Sequence, residues 1–181
     1  HFPARIIKDR ATLTDWVARY KDVGVRQGLL LAGGVPQPVG DFATSMQLLE
    51  SGLFGGFDRL HVAGHPEGNK DIDKDGDAVI MQALAWKQAF ANTSDAKFAI
   101  ATQFCFEADP VIAWANKLAE SGISMPIHIG IAGPAKLQTL IKFAKVSLPA
   151  AVSISVAFAM RRSNSDGIRI SPFMFFAPPP M

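Results

Sequence analysis

A chain of 181 residues, 49% hydrophobic and 19% charged, has an ordinary globular composition with enough apolar material for a core. Its net charge of +2, without a long run of one sign, excludes the electrostatic footprint of a nucleic-acid binder. The single cysteine, Cys105, excludes an internal disulfide, and no apolar run approaches the roughly 20 residues that span a bilayer.

Leu13, Trp16, Val17 and Tyr20 recur at helical spacing, with Thr12 as the expected cap. Gly28-Leu29-Leu30-Leu31-Ala32 reads as a buried strand stopped by Gly33-Gly34. Phe42, Met46 and Leu49 predict a helix after Asp41, and Leu60-His61-Val62-Ala63 a second strand. Val79, Ile80, Ala83, Leu84, Lys87 and Phe90 mark the next helix, and Phe98-Ala99-Ile100-Ala101 the next strand. Asp109-Pro110-Val111 opens a helix with an acid as N-cap and proline at the first position. Ile127-His128-Ile129 is a strand, and Leu137, Leu140, Ile141 and Ala144 form another helical stripe. A helix-like stretch at 149–162, a strand at Ile168-Arg169-Ile170 and a proline-rich tail at 177–181 complete the series.

Strands spaced roughly 30 to 40 residues apart and separated by amphipathic helices imply parallel βαβ units. That pattern suits a doubly wound sheet and a (β/α)8 barrel equally. No linker divides the chain, which reads as a single domain over residues 1–181. The unusual polar and glycine clusters follow strand ends. Gly33-Gly34, Gly64-His65-Pro66-Glu67-Gly68-Asn69, Thr102-Gln103 and residues 130–134 each stand where either architecture builds its ligand site.

Several motifs are absent. There is neither a G-x-G-x-x-G after a strand nor a P-loop, and the four histidines lack metal-ligand spacing, so no metal is expected. His61 and His128 fall within strands and read as core residues, and Cys105 as a buried structural thiol. Asp71-Ile72-Asp73-Lys74-Asp75-Gly76 matches half of a calcium loop, but Gln82 stands where a bidentate glutamate belongs. A solvated acidic loop is the expectation.

Thr102-Gln103-Phe104-Cys105-Phe106-Glu107 resembles the T-Q-F-x-F-[DE] signature of methylenetetrahydrofolate reductases. Gly64-His65-Pro66-Glu67-Gly68 is similar to that family's [YH]-P-E segment, and Gly24-Val25-Arg26 to its "GIR" turn. Ala115 to Gly122, followed by Ile123-Ser124-Met125-Pro126-Ile127-His128-Ile129-Gly130-Ile131, is similar to its "AGI…P…GI" run, and the likeness covers about residues 1–144 in consistent order.

The resemblance implies a (β/α)8 TIM barrel whose first two units precede the given sequence. It implies noncovalent FAD at the C-terminal face, reduced by NAD(P)H and reoxidised by 5,10-methylenetetrahydrofolate to give 5-methyltetrahydrofolate, or the reverse. Carried over by position, His1, Ala32, Gly33, Gly34, Ala43, His65, Asn69 and Lys87 would contact FAD, and Gln103 the folate pterin. The family's general-acid glutamate would lie upstream of His1. Gly34 replaces an acid usual near the flavin pyrimidine, and Asn69 a histidine. Those departures motivate two alternatives: a flavoenzyme acting on another one-carbon folate, and a catalytically silent folate- or flavin-binding subunit. The sequence lacks a signal peptide's charged and apolar regions, so a cytoplasmic protein is expected, free of nucleic acid and membrane. A homo-oligomer is compatible with it.

Overall fold

The computed structural model describes residues 1–74, 76–105 and 107–131. The expected elements at 137–144, 149–162 and 168–170 and the tail at 177–181 lie outside the described residues, as do Asp75 and Phe106.

The described chain is an α/β fold built on one five-stranded sheet. The strands are β1 (Phe2–Pro3), β2 (Gln27–Leu31), β3 (Arg59–Gly64), β4 (Lys97–Cys105) and β5 (Ile127–Ile131). Every neighbouring pair is parallel, and the order across the sheet follows the order in sequence. Between the strands lie α1 (Arg10–Asp22), α2 (Ser45–Glu50), α3 (Ala78–Ala91) and α4 (Ala108–Glu120), with a 3-10 turn at Ala4–Ile6.

Local chemistry explains most element ends. Asp9, not Thr12, caps α1: its carboxylate accepts from the Thr12 N–H at 2.7 Å and from the Thr12 hydroxyl at 2.8 Å. Those hydrogen bonds hold the Asp9 carboxyl below its usual range. Thr44 and Gln47 form a reciprocal capping box that starts α2. Asp109 belongs to the first turn of α4 rather than its cap, which is Glu107. Helix α3 begins at Ala78, and the Asp73 carboxylate accepts from the Val79 N–H at 3.0 Å. An acidic side chain of the half calcium loop is thus engaged in closing a helix terminus.

Alternation along the strands divides the sheet into two faces. Leu30, Leu60, Val62, Phe98, Ile100, Ile127 and Ile129 share a core with Leu13, Leu48, Leu84, Trp114 and Leu118 of the helices. Each such side chain, fully buried, is worth about 1.5 to 3 kcal/mol. The opposite face carries Leu29, Leu31, His61, Ala63, Ala99, Ala101 and His128. His61 and His128 are buried, and His61 Nε2 lies 3.1 Å from His128 Nδ1. The small residues Ala99 and Ala101 on the intervening strand leave room for that contact.

Candidate functional site

The expected residues concentrate near the carboxyl ends of β2, β3 and β4. Register pairs Leu30 with Val62, and Gly64 with Thr102. Gly33 and His65 follow the carboxyl ends of β2 and β3, and Gln103 lies near that of β4.

The first group surrounds Arg5, which sequence reasoning missed. Its guanidinium donates from Nε to the Ala43 carbonyl at 3.1 Å and from a terminal nitrogen to the Val35 carbonyl at 3.1 Å. The Arg5 N–H donates to the Ala32 carbonyl at 2.9 Å. Ala32, Gly33, Gly34 and Ala43 are thereby held in one folded loop. Gly33 has φ +99, a left-handed conformation open chiefly to glycine, and a Cβ there would sit 3.2 Å from Pro3. Gly34 is exposed, with open space where a side chain would stand.

The second group is His65, Asn69 and Lys87. Asn69 Nδ2 lies 3.5 Å from His65 Nδ1. Burial, and then the Lys87 charge, push the His65 pKa down to about 4, so its imidazole is neutral near pH 7. Lys87 is only 7% exposed, although it lies on a helix. Burial lowers its ammonium to about 8. No carboxylate of the described residues pairs with it. A desolvated cation that lacks a counter-charge is costly, and an oxyanion beside His65 would offset that cost.

Gln103 occupies an irregularity in β4. Between the pairs Ala101–His128 and Phe104–Gly130, β4 has two residues, Thr102 and Gln103, against the single Ile129 of β5. Such a bulge re-aims side chains and favours site rims. The Thr102 hydroxyl accepts from the Gly130 N–H at 2.9 Å. A Cβ at Gly130 would lie 2.9 Å from the Gln103 carbonyl, so the close approach requires glycine. The Gln103 side chain is exposed at the rim. Beneath it, Cys105 is buried and its thiol donates to Thr102 Oγ1 at 3.3 Å. Burial pushes that thiol up, keeping it protonated and inert.

His1 stands apart. It precedes Phe2, which pairs with Leu30 within β2, and is exposed. Among the described residues no group of three or more His, Cys, Asp or Glu is arranged to hold a metal ion. No described helix is long and apolar enough to cross a membrane.

No protein-family model matches the chain. The site's chemistry therefore rests on its own geometry: a glycine loop, a neutral imidazole, a buried lysine and an exposed amide along one rim. Arg5 left no signal in the sequence, because its acceptors are 30 and 38 residues away. The Thr102–Gly130 contact could have been suspected from a glycine inside a strand pattern.

Proposed function

We propose that the chain is part of a (β/α)8-barrel flavoenzyme of the methylenetetrahydrofolate reductase kind. It would transfer reducing equivalents from NAD(P)H through FAD to 5,10-methylenetetrahydrofolate, or run in reverse. The observation that carries this reading is Lys87, 93% buried by its 7% exposure, beside neutral His65 and Asn69 at the strand ends. A dinucleotide's phosphates would supply the counter-charge that no described carboxylate gives this ammonium.

Strand order supports the barrel. Doubly wound sheets reverse their order, so that helices cover both faces. Among the described strands the order does not reverse. Right-handed crossovers then keep every helix on one face, and closing the sheet on itself is the ready way to bury the other. Leu29, Leu31, Ala99 and Ala101 give that second face an apolar interior.

The residues fit FAD. Gly33 and Gly34 let backbone approach a bulky ligand, Lys87 balances phosphate charge, and His65 offers a neutral imidazole. FAD, when bound, accepts hydride from the nicotinamide and passes it to the folate. The chain's own part is orientation. Gln103 presents one acceptor and two donors to a pterin edge, and the bulge at Thr102 holds that amide at the rim. The family's general acid would come from residues ahead of His1.

A second reading, a relative acting on another one-carbon folate, is favoured by Gly34. Nothing crowds its Cβ position, so sterics do not account for the missing acid. The test is spectroscopic. Full-length protein should show flavin absorbance near one equivalent, bleach with NADH and recover colour with methylenetetrahydrofolate. A colourless protein that ignores added FAD rules the proposal out, as the silent folate-binding alternative expects. Bleaching that only a different folate reverses selects the second reading.

A further inference from the structure

Helix α3 holds one charged residue, Lys87, and turns it inward. Lys87 shares the buried face of that helix with Ile80 and Leu84, while the exposed positions Val79, Gln82, Ala85 and Ala89 carry no charge. A lysine that serves solubility stands on the outward face, where its ammonium stays hydrated. At 7% exposure, Lys87 is enclosed instead. It takes part in none of the side-chain hydrogen bonds or ion pairs of the described residues. Yet among those residues no side-chain nitrogen is both sealed from solvent and without a partner. The amine therefore ends at an opening rather than in a closed void.

The neighbour that senses Lys87 is His65, in the turn after β3, whose imidazole the Lys87 charge helps keep neutral. The Gly68 N–H donates to the His65 carbonyl at 3.0 Å and closes that turn, and nothing crowds the Cβ position of Gly68. Asn69 places its side-chain amide 3.5 Å from the ring. The bland account is a lysine whose stem packs while its head stays in water. A hydrated head would keep its ordinary basicity, whereas burial here lowers the ammonium to about 8. About a tenth of such amines at pH 7, and about half at pH 8, carry a free lone pair, against less than about one in a hundred for an ordinary lysine. Desolvated lysines of this kind are nucleophiles toward carbonyl compounds.

We propose that Lys87 is a covalent capture site for small polar aldehydes, its amine forming an imine beside His65 and Asn69. The nitrogen lone pair bonds to the carbonyl carbon as the C=O π bond opens. The oxygen then leaves as water with both amine hydrogens, and a C=N bond remains, so no oxidant or reductant enters. The neutral imidazole and the side-chain amide offer hydrogen bonds to the aldehyde's remaining polar group. The inference does not rest on the flavin reading, because without FAD the amine is free whatever the protein's reaction. Flavin-free full-length protein is treated with glycolaldehyde and cyanoborohydride, which reduces the imine to a stable secondary amine, and labelled peptides are mapped by mass spectrometry. At pH about 7, Lys87 should label roughly 10- to 100-fold faster than Lys97, although Lys97 is exposed and Lys87 buried. That ratio should hold below pH 8 and fall above it, as the Lys87 amine becomes fully deprotonated. Lys87→Arg keeps the cation but has no amine to condense, and should lose the fast label while Lys97 still labels slowly. The proposal is overturned if Lys97 labels as fast as Lys87 at pH about 7, or if their ratio does not fall above pH 8. Fast labelling that survives Lys87→Arg overturns it equally.

Discussion

Gln103 and Lys87 carry opposite lessons about single side chains. Gln103 ends up exposed at the rim, where its amide can meet a pterin without supporting the core. On the proposed function, Gln103→Ala should therefore keep FAD and stability while impairing the folate half-reaction. A lost neutral hydrogen bond costs about 0.5 to 1.5 kcal/mol, and more if buried polar atoms stay unpaired. That corresponds to roughly a 3- to 100-fold fall in kcat/KM. Stopped-flow measurement of the two half-reactions decides the matter, since unchanged folate kinetics in a flavin-loaded variant would make the amide structural.

Lys87 is buried, and its folded pKa of about 8 lies below the ordinary 10.5. Between those values the unfolded chain binds more protons than the folded one, so stability rises with pH. The destabilisation is full below about 8 and gone above about 10.5. The apo protein's urea midpoint should increase from pH 8 to 10. Lys87→Met, of similar length and without charge, should abolish that slope and stabilise the apo protein at pH 7. It should also weaken FAD. A variant that loses stability at pH 7 would mean that the ammonium has a favourable role in the empty protein.

At the scale of elements, the bulge in β4 and the imidazole pair across it are the features that packing imposes. Gly130→Ala puts a methyl 2.9 Å from the Gln103 carbonyl and 3.0 Å from the Thr102 carbonyl, both backbone atoms that cannot swing aside. The expected cost is about 1 to 3 kcal/mol, with displacement of Gln103 and, on the proposed function, weaker folate turnover. A neutral Gly130→Ala variant would mean the two strands separate there without penalty.

The His61–His128 contact joins β3 to β5 across β4. Burial, then His128, then Arg59, lower the His61 pKa to about 4, and burial with Lys87 does the same to His65. Both folded values lie below the ordinary 6.5, so each histidine's contribution is complete above pH 6.5. It is lost as pH falls from there toward about 4. The denaturation midpoint should drop across that window. His61→Asn should make the drop shallower by about one proton, and His65→Asn by another. A midpoint indifferent to pH between 6.5 and 4 would show both rings are protonated in the native protein.

Across the whole molecule, ligand linkage offers the plainest check. If FAD binds only the folded chain, a concentration about 100 times Kd adds about 2.7 kcal/mol, or roughly 5 to 10 °C in Tm for this size. An unmoved Tm at high FAD would exclude tight binding. Much of this architecture was legible beforehand. Apolar runs such as Leu29-Leu30-Leu31, alternating with helical stripes such as Ile80, Leu84 and Lys87, prescribe parallel βαβ units, because period and punctuation are local properties. The clusters at Gly33, His65 and Gln103 could be assigned to strand ends for the same reason. What residues alone determined was the set of elements and the rim on which their polar ends gather. Only the tertiary structure decided that Asp9 rather than Thr12 caps α1, that Arg5 ties Val35 to Ala43, that Lys87 is buried, and that Arg59 meets Lys97. Each of these depends on which distant groups the sheet's register and the helix packing bring into contact, and no spacing along the chain encodes that.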